Sequence, residues 1–138
     1  MNTAPENVTG NRRMHAALQL SLQLYLNMPG AQIVFITAEK IAAANRAMKQ
    51  LWAAAAARNP QLSHKFSHCK HAGLVACSRS AHWSLFLCNY RAGNEAALAG
   101  FCGEKLTFVV HGWEQLSLVA REIIQASLTG QDSQLIRM

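Results

Sequence analysis

Two short apolar runs constrain the fold of this chain most strongly. Gln32 to Thr37 and Leu106 to His111 are dominated by valine, isoleucine, leucine and phenylalanine. Short runs that are mostly apolar, instead of strictly alternating, are typical of strands buried on both faces of a sheet. The segments around them have the composition of helices. Strands that alternate with helices predict an α/β fold with a mainly parallel sheet flanked by helices, in a single domain of 138 residues.

Three long helices are predicted, and the evidence for them in the sequence differs in strength. From Arg12 to Met28 leucines alternate with polar residues, which by itself is a strand pattern. The segment is nevertheless too long for a strand, contains no β-branched residue and ends at Pro29-Gly30, so we predict a helix. The helix predicted from Ala38 to Arg58 has a core face of Ile41, Ala44, Met48, Leu51, Trp52 and Ala55. The helix predicted from Glu114 to Leu128 has a core face of Leu116, Val119, Ile123 and Ser127.

An antiparallel hairpin is predicted as an insertion between Phe66 and Tyr90. The stretch is rich in bulky strand-forming residues, and Ser78-Arg79-Ser80 is a plausible turn. On the second strand Phe86 and Tyr90 would share one face, whereas Trp83 would lie on the opposite face. Because the aromatic residues would not form one surface, core packing is favoured over a stacking platform for single-stranded nucleic acid.

Two shorter elements are predicted on either side of the last helix. Asn94 is a good N-cap residue and precedes a short helix expected to extend through Leu98. Thr129-Gly130 is a helix end signal. Ser133 to Arg137 is then predicted as one last strand at an edge of the sheet.

The charge of the chain is distributed unevenly. Its formal net charge is +6, and no Asp or Glu occurs between Glu39 and Glu95. Such an imbalance attracts polyanions or an acidic protein surface, although a solvated face that serves only solubility is the alternative. No apolar run is long enough to span a membrane. The cations predicted to contact an acidic partner or a polyanion are Arg58, Lys65, Lys70, Arg79 and Arg91.

The histidines and cysteines between residues 64 and 82 were considered as zinc ligands. His64, His68, Cys69 and His71 fall close together, with Cys77 and His82 nearby. Imidazole and thiolate are zinc ligands, but this spacing matches no standard zinc-binding pattern. We therefore predict no metal and interpret these residues as surface histidines of a basic hairpin, with a zinc site left as the alternative.

Two segments have the position of nucleotide-binding motifs but lack their chemistry. Gly10-Asn11-Arg12-Arg13-Met14 precedes the first apolar helix, where a phosphate-binding loop would read Gly-x-Gly-Lys-Thr. Arg12 removes one glycine, and Met14 has no oxygen for Mg²⁺. After the strand that ends at His111, Gly112 follows where Asp-Glu would be expected. Imidazole does not replace a carboxylate toward a hard cation.

The order of segments resembles the ATPase domain of phage terminase large subunits, the motors that thread DNA into capsids. The likeness covers nearly the whole chain, and its Walker A and Walker B motifs are degenerate. The stretches that carry it are Gly10 to Met14, Val34 to Ala38, Gln50-Leu51-Trp52, Asn94 to Phe101, Thr107 to Gly112 and Ala126 to Gly130.

The resemblance implies a truncated P-loop NTPase-like domain that covers residues 1–138, with 1–9 expected to be flexible. It assigns a remnant of a nucleotide pocket, in which Arg13 would stand for the phosphate-binding lysine. Glu114 could substitute for the catalytic base, but without a metal-binding carboxylate we predict no enzymatic activity and no cofactor. The residues of this remnant are Gly10, Arg12, Arg13, Met14, His111 and Gly112.

The predicted function is therefore binding and not catalysis. We expect a phage-derived regulator or inhibitor that binds a protein partner, which would be a motor, a host enzyme or a host defence complex. This function would place it in the cytoplasm of an infected or lysogenic host cell. The alternatives are a basic nucleic-acid-binding module that also uses Arg12 and Arg13, and residual ATP binding. An open sheet edge makes a homodimer a further expectation.

Overall fold

The computed structural model describes residues 4–60, 74–78, 83–101 and 103–138, with side chains from residue 12 onward except in 74–78. The helices are α1 (Ala4–Asn27), α2 (Ile41–Arg58) and α3 (Leu118–Ser127). The strands are β1 (Gln32–Thr37), β2 (Leu74–Ser78), β3 (Trp83–Asn89), β4 (Leu106–His111) and β5 (Gln134–Arg137). Single 3-10 segments cover Glu95–Gly100 and Trp113–Gln115. None of the helices in these residues is long and apolar enough to cross a membrane.

The strands form one sheet in the order β2-β3-β1-β4-β5. Strands β3, β1, β4 and β5 are mutually parallel, which confirms the predicted α/β fold with a mainly parallel sheet. Strand β5 lies at an edge of this sheet, as predicted. Strand β2 pairs antiparallel with β3 at the other edge. The turn at Ser78-Arg79-Ser80 and the start at Phe66 lie outside the described residues, so the inserted hairpin as a whole stays a prediction.

Helix α1 confirms that the alternating leucine segment is helical. Its leucines at i and i+4, Leu18 and Leu22, are buried against the sheet, and Tyr25 is buried one turn nearer the end. Ser21 is also buried and donates a hydrogen bond from its hydroxyl to the Ala17 carbonyl at 2.8 Å. This bond satisfies the hydroxyl within its own helix, so a polar residue is tolerated on the buried face.

Two apolar clusters lie on opposite faces of the sheet. Helices α1 and α2 cover one face, where Trp52 and Trp83 are buried with Tyr25. The Tyr25 ring centroid lies 5.0 Å from that of Trp83, and the Trp83 Nε1–H donates to the Tyr25 carbonyl at 2.6 Å. On the other face Tyr90 and the partly buried Phe86 pack with α3. The prediction that these aromatic residues pack on two separate faces is therefore confirmed.

The cluster on the α3 face includes a tryptophan between two cations. The Trp113 ring lies 5.5 Å from the guanidinium carbons of both Arg121 and Arg137, and Arg121 Nε also donates to the Trp113 carbonyl at 3.2 Å. A guanidinium over an aromatic face is attracted by the ring quadrupole. These contacts link the segment after β4 to α3 and to the edge strand β5.

The last helix begins later than predicted, and its buried face was predicted only in part. Residues 113–115 form a 3-10 turn, and α3 starts after Ser117, whose hydroxyl accepts from the Ala120 N–H at 3.1 Å. Leu116 precedes the helix and is buried as predicted, whereas the buried face within α3 is displaced by one residue. Ala120 and Ile124 are buried instead, whereas the predicted core residue Val119 is 57% exposed.

The predicted capping role of Asn94 is also wrong. The segment after it is a 3-10 helix that ends at Gly100, and the Asn94 side chain makes no capping hydrogen bond. The Glu95 carboxylate instead accepts from the Gly93 N–H at 3.1 and 3.2 Å and from the Ser117 hydroxyl at 3.3 Å. These hydrogen bonds lower the pKa of Glu95. They connect the end of β3 to the start of α3.

Candidate functional site

The carboxyl ends of the parallel strands form the edge of the sheet where polar residues gather. Open α/β folds bind ligands at this edge because the strand ends and the loops that follow them lie side by side. The register places Thr37, the last residue of β1, beside both Asn89 of β3 and His111 of β4. Polar residues that are far apart in the sequence are thereby brought into contact.

His111 and Thr37 are joined by a buried hydrogen bond. The Nδ1 atom of His111 lies 3.0 Å from the Thr37 hydroxyl, which also accepts from the Glu39 N–H at 3.1 Å. The Asn89 amide donates to the Thr37 carbonyl at 3.0 Å and to the Glu39 carbonyl at 2.6 Å. Three strand-end residues, Thr37, Asn89 and His111, therefore hold the chain in place where it leaves β1 for α2.

The environment of His111 favours its neutral form. Its side chain is only 7% exposed, and burial lowers the pKa of the imidazole. The charge of Glu39 raises this pKa and that of Arg13 lowers it, both by less than burial. The charges of Glu39 and of Arg13 on α1 therefore act on His111 in opposite directions.

Acidification is expected to destabilise the protein through His111. The folded-state pKa lies below the ordinary value of about 6.5, so the stabilising neutral form is fully present above that value. As the pH falls, the unfolded chain binds the proton first, and the free energy of unfolding decreases. Urea denaturation between neutral and mildly acidic pH measures this loss. The His111→Gln variant is expected to lose less stability on acidification than the parent.

A second histidine provides the control for this pH dependence. His15 is exposed on α1, and His15→Gln removes a histidine without removing the buried hydrogen bond to Thr37. If both variants changed the pH dependence equally, the burial of His111 would not be its cause.

The predicted loop from Gly10 to Met14 is helical in the structure. All of these residues lie within α1, which starts at Ala4. Arg12 and Arg13 are exposed, whereas Met14 is 6% exposed and packs in the core against the sheet. Arg13 is the residue of this motif whose charge acts on the pKa of His111, and the nucleotide-pocket remnant as a set stays a prediction.

Gly112 lies directly after β4 in a backbone conformation that would be strained for a residue with a side chain. Its backbone is left-handed, with φ +81°, and a side chain here would lie 3.3 Å from Gln115. The Gly112 N–H donates to the Met138 carbonyl at 3.1 Å, and the Met138 N–H donates to the Val110 carbonyl at 2.9 Å. A glycine is needed here for the backbone conformation. Gly112 therefore has a structural role, and it supplies no acid or base.

The remaining predicted site residues are dispersed. Arg58 is exposed at the end of α2, and Arg91 is exposed after β3, where its Nε donates to the Asn89 side chain at 3.1 Å. The other predicted cations, Lys65, Lys70 and Arg79, lie outside the described residues, as does most of the histidine and cysteine cluster. Among the residues that are described, no group of three or more His, Cys, Asp or Glu could hold a metal ion.

Sequence reasoning missed Thr37, Glu39 and Asn89 at this edge. Thr37 and Asn89 are the last residues of strands β1 and β3, and both are polar at the end of an apolar run. Polar residues at strand ends are the available signal for this kind of site. The pairing itself depends on the order of the strands, which the sequence does not state.

A comparison with known proteins yields one relative. Over 131 residues, which are 93% of this chain, the sequence is 24% identical to a protein of Enterobacteria phage P7 described as "Probable terminase, large subunit". The chain resembles a terminase. It spans about a quarter (26%) of that protein's length. The similarity supports a terminase-like origin for nearly all of the chain. No protein-family profile matches the chain, and no solved structure matches it.

Proposed function

We propose that this chain is a terminase-like domain that does not hydrolyse ATP and that acts by binding a protein partner. The observation that carries the proposal is the helical conformation of residues 10–14. A phosphate loop works because its backbone N–H groups turn toward the phosphates. In the interior of a helix those N–H groups bond to carbonyls of the preceding turn. The buried side chain of Met14 is likewise directed into the core and away from a ligand.

The described strand ends also offer few carboxylates that could hold magnesium. Mg²⁺ requires oxygen ligands, usually carboxylates together with the phosphates of the nucleotide. At the end of β4 the chain offers His111, whose imidazole is buried and bonded to Thr37 and whose pKa is lowered by burial. Glu39 and Glu114 are exposed single carboxylates on different segments. This arrangement supports a binding role over phosphoryl transfer.

ATP with Mg²⁺ is expected to leave the thermal stability of the protein unchanged. A ligand that binds the folded state at about 100 times its Kd adds about 2.7 kcal/mol, which a thermal-shift assay detects readily. We expect no shift and no phosphate release above the buffer rate. A magnesium-dependent shift that Arg13→Ala abolished and that Arg12→Ala preserved would contradict the proposal. Arg12 is the matched control because it is an adjacent exposed arginine on α1.

The phage origin of the relative suggests the class of partner. Since that protein is described as a probable terminase, a related domain without the hydrolytic groups would act on a motor or on a host enzyme or defence complex. It would work as a regulator or an inhibitor in the host cell. It would act by presenting a binding surface and not by catalysing a reaction.

A further inference from the structure

The charge of the described chain is distributed unevenly between its first and its last part. The segment that forms α1 and α2, from Arg12 to Pro60, contains a single acid, Glu39. The segment from Arg91 to the last residue contains more acids than cations. We call the outward side chains of residues 12–27 and 40–58 the α1/α2 layer. Its cations are Arg12, Arg13, Lys40, Arg46, Lys49 and Arg58, all exposed.

Each helix of the α1/α2 layer presents one exposed stripe. Both stripes follow the same spacing, i, i+4, i+7, i+11 and i+15, which places their members along one side of a helix. On α1 the stripe is Arg12, Ala16, Gln19, Gln23 and Asn27. On α2 it is Ala42, Arg46, Lys49, Ala53 and Ala57.

The two stripes belong to one surface. Helices α1 and α2 pack against each other, and the Tyr25 ring centroid lies 6.3 Å from that of Trp52. Both helices run opposite to β1, because α1 leads into the start of that strand and α2 follows its end. Arg13 lies 12 residues before Tyr25, and Lys40 lies 12 residues before Trp52. Because the two aromatic rings are in contact and each helix rises equally per residue, Arg13 and Lys40 lie at the same height above the start of the sheet. Arg12, Arg13 and Lys40 therefore lie toward the carboxyl edge of the sheet, Arg46 and Lys49 follow along α2, and Arg58 lies at its far end.

Among the described side chains of α1 and α2, no carboxylate compensates the charge of these cations. Arg46 and Lys49 are neighbours at i and i+3, and like charges at that spacing destabilise a helix by a few tenths of a kcal/mol. Neither α2 nor the described side chains of α1 include a carboxylate that could pair with them. A negatively charged partner would relieve the repulsion, so the complementary surface is acidic.

We infer that the α1/α2 layer binds an acidic helix of a partner protein. The inference rests on the proposed binding function and names the chemistry of the partner. The alanines of the α2 stripe let a second helix approach closely, while acids on that helix reach Arg46 and Lys49. A nucleic acid fits less well. The aromatic residues Tyr25 and Trp52 are buried and offer no stacking surface, and alanine methyl groups do not bond to phosphates.

The test is fluorescence anisotropy with a synthetic alanine–glutamate helix whose glutamates lie at i, i+3 and i+7. We expect saturable binding to the full chain and at least about tenfold weaker binding by Lys49→Glu. The control variant is Lys105→Glu, which changes the net charge equally at an exposed position before β4, outside the α1/α2 layer. It is expected to bind as the parent does. Circular dichroism of both variants verifies that each is folded.

A duplex DNA oligonucleotide is the competing probe. No binding of the acidic helix, equal weakening by both variants, or tighter binding of the duplex than of the acidic helix would overturn the inference. The outcome of this experiment is independent of the outcome of the ATP experiment, because a chain that does not bind ATP can still fail to bind an acidic helix. A chain that hydrolyses ATP would disprove the proposed function, whichever result the peptide gave.

Discussion

Replacing Phe108 by alanine is expected to lower the free energy of unfolding by about 3–5 kcal/mol. Phe108 is fully buried in β4, between β1 and β5, and its ring centroid lies 6.1 Å from that of Phe101. Removing the ring would leave a cavity beneath α3 that the surrounding strands cannot fill without breaking their hydrogen bonds. Total stabilities of small domains are about 5–15 kcal/mol, so the variant would lose a large part of its stability. Urea denaturation of parent and variant measures the difference.

An exposed leucine on the same face provides the comparison for Phe108. Leu118 is 72% exposed in the first turn of α3, so Leu118→Ala is expected to change the stability by less than about 0.5 kcal/mol. Similar losses in the two variants would mean that the packing of α3 on the sheet is not as described.

Gly130→Ala is the second substitution with a large expected effect. A Cβ atom at Gly130 would lie 2.5 Å from the carbonyl oxygen of Glu104 and 2.7 Å from its carbonyl carbon. These are backbone atoms and cannot rotate away. The Asp132 N–H donates to the same Glu104 carbonyl at 3.2 Å, and the Ser133 hydroxyl donates to the Gly130 carbonyl at 2.7 Å. Relief of the clash would therefore displace the start of β5, at an expected cost of about 1–3 kcal/mol.

Gly100→Ala is the matched control for this substitution. A Cβ at Gly100 meets nothing within 4 Å, and its backbone is not left-handed. Alanine at such a position commonly stabilises a protein by about 0.4–1 kcal/mol, because it restricts the unfolded chain. We expect Gly130→Ala to lower Tm and Gly100→Ala to leave it unchanged or raise it slightly. A Gly130→Ala variant as stable as the parent would disprove the close approach of the turn to Glu104.

Strands β1 and β4 were predictable because strands buried on both faces of a sheet consist almost entirely of apolar residues. Strands β1 and β4 begin and end at the predicted residues, since short length, β-branched residues and flanking turn residues favour a strand over a buried helix. The type of α1 was also predicted correctly. Its start was not, although Pro5 is compatible with the first turn of a helix. Because the helix starts earlier than predicted, residues 10–14 are helical and do not form the predicted phosphate loop.

The errors in the last third of the chain have a local cause. A 3-10 turn from Trp113 to Gln115 and a cap at Ser117 interrupt what reads as one continuous amphipathic segment. Periodicity identifies a helix, but it does not locate a break that shifts the buried face by one residue. The contact between Thr37 and His111 was beyond prediction for another reason. Seventy-four positions separate them, and only the pairing of β1 with β4 brings them together.

The distribution of tryptophan gives each face of the sheet its own optical probe. Trp52 and Trp83 lie under α1 and α2 with Tyr25, whereas Trp113 lies on the opposite face between Arg121 and Arg137. The chain contains three tryptophans in total. A variant with phenylalanine at positions 52 and 83 would therefore show tryptophan emission only from Trp113, on the α3 side. Emission spectra of such a protein would reveal whether an acidic ligand docked on one layer is sensed through the sheet by the other.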